Sequence, residues 1–260
     1  MSELRELARS LGFHAIDSNW SDYAGAPWLK DLLEAEHIER ERRGLKRRLK
    51  EADIGQFKPM SEFDWSWPKV IDREQIEDLF SLEFLEKGEN IVLIGTNGLG
   101  KTMIAQNLAY QAVMSGRSTL VVKASKMLND LAQCAEGAPR KNMLRKLCRL
   151  GLLVIDEVGY MSYSNKYADL LYEVISGRYE KRPTVVTTNT VFKQWGEIFP
   201  NAACVVTLVD QLVHHSEIIK IAGLSWRHHE AEVNAKAKET ARQSKSAKRS
   251  PAKAKNGASS

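Results

Sequence analysis

The chain has 260 residues, of which 43% are apolar and 27% are charged, as in a globular protein with one large domain and a smaller one. No apolar run approaches the length of a membrane span, and the N-terminus lacks the basic flank and apolar core of a secretory signal. Cys134, Cys148 and Cys204 are too widely spaced for a disulfide framework or a zinc pattern, which favours a reducing cytosol. The pairs His214-His215 and His228-His229 also lack the spacing of a metal site, and we expect them to be packing or ordinary surface residues.

The net charge of +5 is concentrated at the C-terminal end. Residues 236–255 contain eight Lys or Arg and one acid, so the rest of the chain is slightly acidic. The same stretch is rich in Ala and Ser and poor in large apolar side chains, which predicts a disordered basic tail over residues 231–260. This tail is either a flexible arm that adds salt-sensitive affinity for nucleic acid or a solubilising tail without a specific role.

Residues 1–70 predict a small, mostly helical N-terminal domain. Ser2 can cap a short helix that ends at Gly12, and a longer helix runs from about Pro27 to Asp53. Basic residues at three- or four-residue steps share one face of the longer helix: Arg40, Arg43, Arg47 and Lys50. This face either follows a phosphate backbone or is a solvated surface with internal ion pairs.

An irregular aromatic stretch follows, with Phe57, Phe63, Trp65 and Trp67. Aromatic rings in such a stretch can stack on nucleic-acid bases. The interpretation we favour is that they pack a linker onto the next domain.

From residue 71 to residue 230, apolar β-branched segments alternate with helical ones. A helix near Asp72–Phe84 comes first, and the expected strands are residues 91–94, 119–123, 152–156, 184–188 and 218–221. Such alternation is typical of a parallel sheet covered on both faces, so we predict a three-layer α/β fold.

A glycine-rich segment follows the first strand and precedes a helix. It matches the phosphate-binding pattern G-x-x-x-x-G-K-[ST] at every fixed position. Its residues are Gly95, Thr96, Asn97, Gly98, Leu99, Gly100, Lys101 and Thr102. The glycines let backbone N–H groups point at phosphate oxygens, and the N-terminus of the helix adds its positive dipole end. We expect Lys101 to reach the β- and γ-phosphates and the Thr102 hydroxyl to take one Mg²⁺ position.

Polar residues also end two later strands. Asp156 and Glu157 follow a buried apolar run, which brings their carboxylates to the carboxyl edge of the sheet, where ligands bind in open α/β folds. We expect Asp156 to hold Mg²⁺ through water and Glu157 to polarise the attacking water. Asn189 follows the fourth strand, where its amide can reach that water or the γ-phosphate.

With these motifs the chain resembles the AAA+ branch of P-loop ATPases. More closely it resembles the IstB family, the ATPase helpers of insertion-sequence transposases, which are relatives of the DnaC-type helicase loaders. Matching stretches outside the P-loop occur in the order of the family: residues 89–95, 152–160, 168–172, 178–180, 185–189, 195–199, 212–216 and 223–227. The N-terminal basic helix and the Phe63-Asp64-Trp65 stretch also match, so the resemblance covers roughly residues 1–230.

The resemblance implies ATP and Mg²⁺ as cofactors and ATP hydrolysis as the reaction. It also implies assembly as a homo-oligomeric ring or spiral on duplex DNA, recruitment or activation of a transposase, and a place in the bacterial cytosol on the nucleoid. Asn189 would sense the γ-phosphate, and Arg227 sits in a Ser-aromatic-Arg segment that reads it. An arginine from the neighbouring subunit completes such sites, and Arg178 and Arg227 are the candidates. For Arg178 the alternative is an ion pair with Glu180 or another acid.

Two positions depart from the family pattern. Asn97-Gly98-Leu99 stands where relatives usually have Pro-Gly-Thr, and Gln211 stands where relatives typically have an arginine. The first departure affects the rigidity of the loop, and the second weakens trans-activation or moves it to another residue.

Further basic residues follow the second strand and form a second candidate surface for DNA: Lys123, Lys126, Arg140, Lys141, Arg145 and Lys146. No segment has the pattern of a base-reading helix, so we expect sequence-independent binding that falls steeply with salt.

Three alternative functions remain open at this stage. A helicase loader shares most of the ATPase core. A small-molecule kinase on a P-loop fold needs an acceptor pocket and a lid, and the adjacent Asp156 and Glu157 favour water as the acceptor instead. A nucleotide-gated DNA scaffold with little hydrolysis is the third.

Overall fold

The computed structural model describes residues 3–160, 164–199, 202–226 and 229. Five parallel strands form one sheet in the order β2-β3-β4-β1-β5. Their bounds are β1 Asn90–Ile94, β2 Thr119–Lys123, β3 Leu152–Val158, β4 Thr184–Thr188 and β5 Ser216–Lys220. The predicted α/β fold with a parallel sheet of five strands is therefore confirmed.

Helices cover both faces of this sheet. They are α5 Arg73–Leu79, α6 Glu83–Lys87, α7 Lys101–Met114, α8 Ala124–Gln133, α9 Ala138–Arg149, α10 Asn165–Arg178, α11 Trp195–Ile198 and α12 Ala202–Val213. Because side chains alternate along a strand, Val92 and Ile94 join the core cluster that contains residues of α8, α10 and α12. Ile91 and Leu93 join the opposite cluster with residues of α5, α6 and α7. The result is the predicted three layers.

The N-terminal part is helical, as predicted. Its helices are α1 Glu3–Ser10, α2 His14–Ser18, α3 Trp20–Tyr23 and α4 Leu29–Ala52. Ala8, Leu11, Leu29 and Leu33 are buried in a small core of their own. Outside that core, the helix α4 also lies against α7 and β2, so it joins the N-terminal cluster to the α/β domain.

The segment after α4 is packed onto α7. The Met60 amide donates to Asn107 Oδ1 at 3.1 Å, and Gln106 Nε2 donates to the Ile54 carbonyl at 2.6 Å. The rings of Phe57 and Tyr110 lie 4.8 Å apart between centroids. Phe63 and Trp65 pack against the core cluster that contains α7. The packed-linker interpretation of these aromatic residues is thus confirmed.

Two boundaries differ from the sequence prediction. The helix expected at residues 72–84 is two short helices, α5 and α6, because Leu82 takes a left-handed backbone conformation with φ 62° between them. The strand β3 continues past Asp156 to Val158 through a register shift against β4. Within the described residues, no helix combines the length and the apolar character that crossing a membrane requires.

The predicted basic tail, residues 231–260, lies outside the described residues.

Candidate nucleotide site

The phosphate-binding loop connects β1 to α7 as predicted, and its glycines are needed for its shape. Gly98 and Gly100 have φ of 78° and 86°, a left-handed region that favours glycine. A Cβ atom at Gly98 would clash with the Ser225 side chain, and one at Gly100 would clash with the Phe63 ring. The loop is therefore enclosed between the linker and the segment after β5.

The remaining loop residues divide into exposed and buried ones. Thr96 and Asn97 are exposed, whereas the Leu99 side chain is 2% exposed and belongs to the core cluster around α7. The departure from the family pattern at Leu99 thus adds an apolar anchor that fixes the loop to the domain.

Lys101 begins α7 and is 8% exposed. Its Nζ donates to the carbonyls of Gly95 and Thr96 at 2.6 and 2.8 Å. The ammonium group is held inside the curl of the loop, where it can exchange these carbonyls for phosphate oxygens.

Thr102 and Asp156 meet as the sequence predicts. Asp156 is 4% exposed, and the Thr102 hydroxyl donates to its Oδ1 and Oδ2 at 3.0 and 3.2 Å. A hydroxyl beside a carboxylate is the set of hard oxygen ligands that suits Mg²⁺, so these residues fit the predicted ion.

Thr187 has a role here that the sequence analysis did not assign. Its hydroxyl donates to Asp156 Oδ1 at 2.5 Å and accepts from the Glu157 amide at 2.9 Å. The residue is 1% exposed on β4, next to β3 in the sheet. It orients the Asp156 carboxylate and fixes the backbone of Glu157. Its place in the Thr187-Thr188-Asn189 strand end was the available signal.

Glu157 stands on a strained backbone. Its φ is 61°, a left-handed value at the register shift between Ile155 and Val158, where β3 has one residue more than β4. Strain of this kind persists where the surrounding structure imposes it and is concentrated at functional sites. The bulge directs consecutive residues differently, so Asp156 is buried while the Glu157 side chain is 37% exposed.

Lys123, which is predicted to lie on the DNA surface, contacts Glu157 at the nucleotide site. Its Nζ lies 2.8 Å from Glu157 Oε2. Lys123 ends β2 and is paired with Asp156 in the register of β2 and β3, so it stands beside both acids. The sequence does not reveal this contact, because the two residues are on different strands.

Asn189 lies at the same edge of the sheet as the loop. The amide of Gly95 donates to the carbonyl of Thr188 at 3.1 Å, so Asn189 follows directly after a residue that contacts the loop. The Asn189 side chain is exposed and accepts a hydrogen bond from the Thr190 hydroxyl at 3.0 Å. This position is compatible with the predicted contact to a γ-phosphate.

The prediction that Arg178 completes the site of a neighbouring subunit is wrong. It is 1% exposed, and its guanidinium donates to the carbonyls of Leu147, Leu150 and Pro183 and to the Thr184 hydroxyl. Burial lowers the pKa of Arg178 to about 10. These partners lie at the amino ends of β3 and β4, opposite the nucleotide edge, so Arg178 is neither presented to a neighbouring subunit nor paired with Glu180. Arg227, the other candidate, lies outside the described residues.

The proposed DNA residues on α4 fall into two groups. Arg40 lies 2.5 Å from Glu36 Oε1 and donates to the Leu11 carbonyl at 2.7 Å, and Arg43 lies near the carboxylate of Glu36. Arg47 and Lys50 are exposed and have no ion-pair partner within the described chain. Ion pairs within the N-terminal helices thus occupy the first half of this basic face. The exposed cations that have no ion-pair partner among the described residues lie in its second half.

The second basic surface is also mixed. Lys126 lies 3.4 Å from Asp53, and Arg140 is half-buried against Glu136 and the Cys134 carbonyl. Lys141, Arg145 and Lys146 are exposed on α9. Arg145 and Lys146 line a groove of about 420 Å³ together with Arg149, which the sequence analysis did not single out. This groove includes Ser118 and Leu150, which precede β2 and β3, so it lies at the amino edge of the sheet.

The fold and the site together define a P-loop protein of the α/β class, with its lysine, hydroxyl and acidic strand end at one edge of a parallel sheet. The sequence profile of the family described as IstB-like ATP binding protein matches residues 3–234, and the chain belongs to this family.

Relatives agree with this assignment. The chain is 30% identical over 233 residues to the insertion sequence IS5376 putative ATP-binding protein of Geobacillus stearothermophilus, covering 86% of this chain and 93% of the relative. It is 32% identical over 225 residues to the IS232 putative ATP-binding protein of Bacillus thuringiensis subsp. berliner, covering 86% and 90%. The crystal structure of DnaI has the same fold at a TM-score of 0.53 and 18% identity, covering 63% of this chain and 90% of DnaI.

Proposed function

We propose that the protein is an ATP-dependent, DNA-binding AAA+ ATPase that multimerises on duplex DNA and recruits or activates a transposase. The observation that carries the proposal is the convergence of Lys101, Thr102, Asp156 and Glu157 at one edge of the sheet. The family and its insertion-sequence relatives support the connection to transposition. Such a protein acts on the nucleoid in the bacterial cytosol.

Each residue of the site has a separate role in ATP hydrolysis. The loop N–H groups and Lys101 bind the phosphates, and Thr102 and Asp156 hold Mg²⁺, which neutralises charge on the phosphates when bound. Glu157 accepts a proton from the attacking water, for which its exposed carboxylate is better suited than the buried Asp156. Asn189 reports the presence of the γ-phosphate.

DNA binding is assigned to the open basic surfaces. Arg47 and Lys50 on α4, with Lys141, Arg145 and Lys146 on α9, carry charge that is available to phosphates. Contacts of this kind position a protein on DNA without reading its sequence, so the affinity falls with added salt.

The test is the rate of phosphate release from ATP, with and without duplex DNA, for the wild type and Glu157→Gln. We expect DNA to stimulate the wild type, and Glu157→Gln to bind DNA in an ATP-dependent way while hydrolysing ATP at least about 100-fold more slowly. Lys101→Ala should lose ATP binding itself. A Glu157→Gln variant with wild-type hydrolysis contradicts the assigned chemistry, and a phosphorylated metabolite as product indicates a kinase instead.

The ion pair between Lys123 and Glu157 favours a second candidate, a DNA scaffold that is gated by ATP and hydrolyses it slowly. While this ion pair is formed, the Glu157 carboxylate is engaged by Lys123 and not by the attacking water. The same assay separates the two functions, since the scaffold shows ATP-dependent DNA binding without stimulation of phosphate release.

A further inference from the structure

Away from the nucleotide site, two turns at the amino edge of the sheet bring together two histidines and an acid. Among the described residues, Glu180, His214 and His215 form a group of potential metal ligands, and one ligand atom of each lies within 4.8 Å of the others. Glu180 lies between α10 and β4, and the histidines lie between α12 and β5. The separation along the sequence explains why the histidine pair by itself shows no metal pattern.

The two turns are held in place by Asn90, which is 8% exposed at the start of β1. Its amide donates to the His215 carbonyl at 2.7 Å, and its side chain donates to the Leu212 carbonyl at 3.2 Å. Its side-chain oxygen accepts from the Thr184 amide at 2.9 Å. Since β1 lies between β4 and β5, this one residue sets the spacing of the turns that carry the acid and the histidines.

The side chains are arranged as a ligand set requires. His215 Nε2 lies 3.8 Å from Glu180 Oε1. The Tyr179 hydroxyl lies 2.8 Å from His214 Nδ1. In the tautomer in which Nδ1–H donates to the Tyr179 oxygen, the lone pair of Nε2 is available to a ligand. Metal-binding histidines usually have such a bond on their second nitrogen, because it orients the ring and selects the tautomer.

The backbone of Glu180 is also unusual. Its φ is 55°, a left-handed value that is uncommon for a residue other than glycine.

We propose that Glu180, His214 and His215 form a binding site for a divalent transition-metal ion of the Zn²⁺ class. Two imidazoles and a carboxylate suit Zn²⁺, Ni²⁺ or Cu²⁺ and not Mg²⁺, which selects oxygen ligands. Ligand bonds of about 2.0–2.2 Å require the three side chains to move together by roughly 1 Å, which exposed side chains can do by small rotations. The ion joins the turn before β4 to the turn before β5 at the edge opposite the nucleotide.

The test is calorimetric titration of the full chain with Zn²⁺ in the presence of excess Mg²⁺, which occupies the nucleotide site. We expect one Zn²⁺ per chain in the wild type. His214→Ala, His215→Ala and Glu180→Gln should each weaken its binding at least about tenfold, and Tyr179→Phe should weaken it by about tenfold through the orientation of His214. His37→Ala is the matched control, since His37 is an exposed histidine on α4, and it should bind as the wild type does.

A thermal measurement gives an independent readout. Zn²⁺ should raise the melting temperature of the wild type and of His37→Ala, and leave that of the His214→Ala, His215→Ala double variant unchanged, because an ion that binds only the folded state stabilises it. Zn²⁺ binding of wild-type affinity and stoichiometry in that double variant overturns the proposal. An equal loss of affinity for Zn²⁺ in His37→Ala also overturns the proposal, because it indicates that Zn²⁺ binds to scattered surface histidines.

Discussion

At the scale of single residues, the ion pair between Lys123 and Glu157 connects a basic side chain to the residue that is proposed to activate water. The two groups lie 2.8 Å apart and both are more than one-third exposed. A pair in that environment is worth roughly 1 kcal/mol or less, because solvent screens it. A pair of this strength can hold the Glu157 carboxylate before nucleotide binds. It can also break when phosphates compete for Lys123.

Neutralising this lysine should therefore raise the basal activity. We expect Lys123→Met to increase phosphate release without DNA by up to roughly fivefold, the rate equivalent of about 1 kcal/mol, and to reduce the relative stimulation by DNA. Lys126→Met is the control, since Lys126 is paired with Asp53 instead. A Lys123→Met enzyme that hydrolyses ATP more slowly than the wild type shows that Lys123 assists the reaction.

At the scale of elements, buried Arg178 joins the end of α9 to the start of β4. Its guanidinium donates hydrogen bonds to the carbonyls of Leu147, Leu150 and Pro183. Replacing the guanidinium by an apolar chain leaves these acceptors buried without a donor, and each such group costs about 1–3 kcal/mol.

We expect Arg178→Met to lower the free energy of unfolding by about 3 kcal/mol or more, measured by urea denaturation. The affinity for ATP of the folded fraction and its stimulation by DNA should remain, because the residue is remote from the nucleotide edge. Arg182→Met, four residues further along the chain and exposed, is the comparison. Normal stability with a specific loss of DNA-stimulated hydrolysis would restore Arg178 as a trans-acting residue.

The first two helices are connected by a titratable contact. Arg9 and Arg5 on α1 hydrogen-bond to Asp17 on α2 and hold the pKa of Asp17 at about 2. A carboxyl group whose pKa is lower in the folded state stabilises that state above its unfolded pKa of about 3.9 and loses this effect as the pH falls toward 2.

We therefore expect the N-terminal helices to loosen as the pH falls from about 4 to about 2. Near neutral pH this contact should cause no change. Hydrogen exchange of the amides in α1 and α2 measures this. In Asp17→Asn these amides should exchange faster at neutral pH and should lose the dependence on pH over that window. Asp22→Asn, whose side chain contacts Ser21 instead, is the control.

At the scale of the whole molecule, the exposed basic residues lie on two separate surfaces, and the salt dependence of DNA binding tests the surface on α4. Arg47→Gln and Lys50→Gln should each weaken binding equally on different DNA sequences and lower the slope of log affinity against log salt by about 0.9. Arg42→Gln is the matched control, since Arg42 on the same helix is paired with Glu39. An unchanged slope in the first two variants removes α4 from the DNA surface.

The sequence alone determined the strands, the phosphate-binding loop and the acidic strand end. Those features depend on neighbours along the chain: an apolar run that must be buried, glycines that permit a curled loop, and a lysine and threonine that begin the next helix. Asp156 and Thr102 were also predicted together, because parallel strands bring their carboxyl ends to one edge.

Which distant residues meet depends on the packing of the whole chain. The partner of Glu157 is Lys123 because β2 lies beside β3, and Thr187 orients Asp156 because β4 lies on the other side. Arg178 is buried, and Glu180 lies near His214, because of how the helices return to the amino edge. Strand order and helix packing arise from the burial of the whole core, a sum over contacts that no local pattern contains.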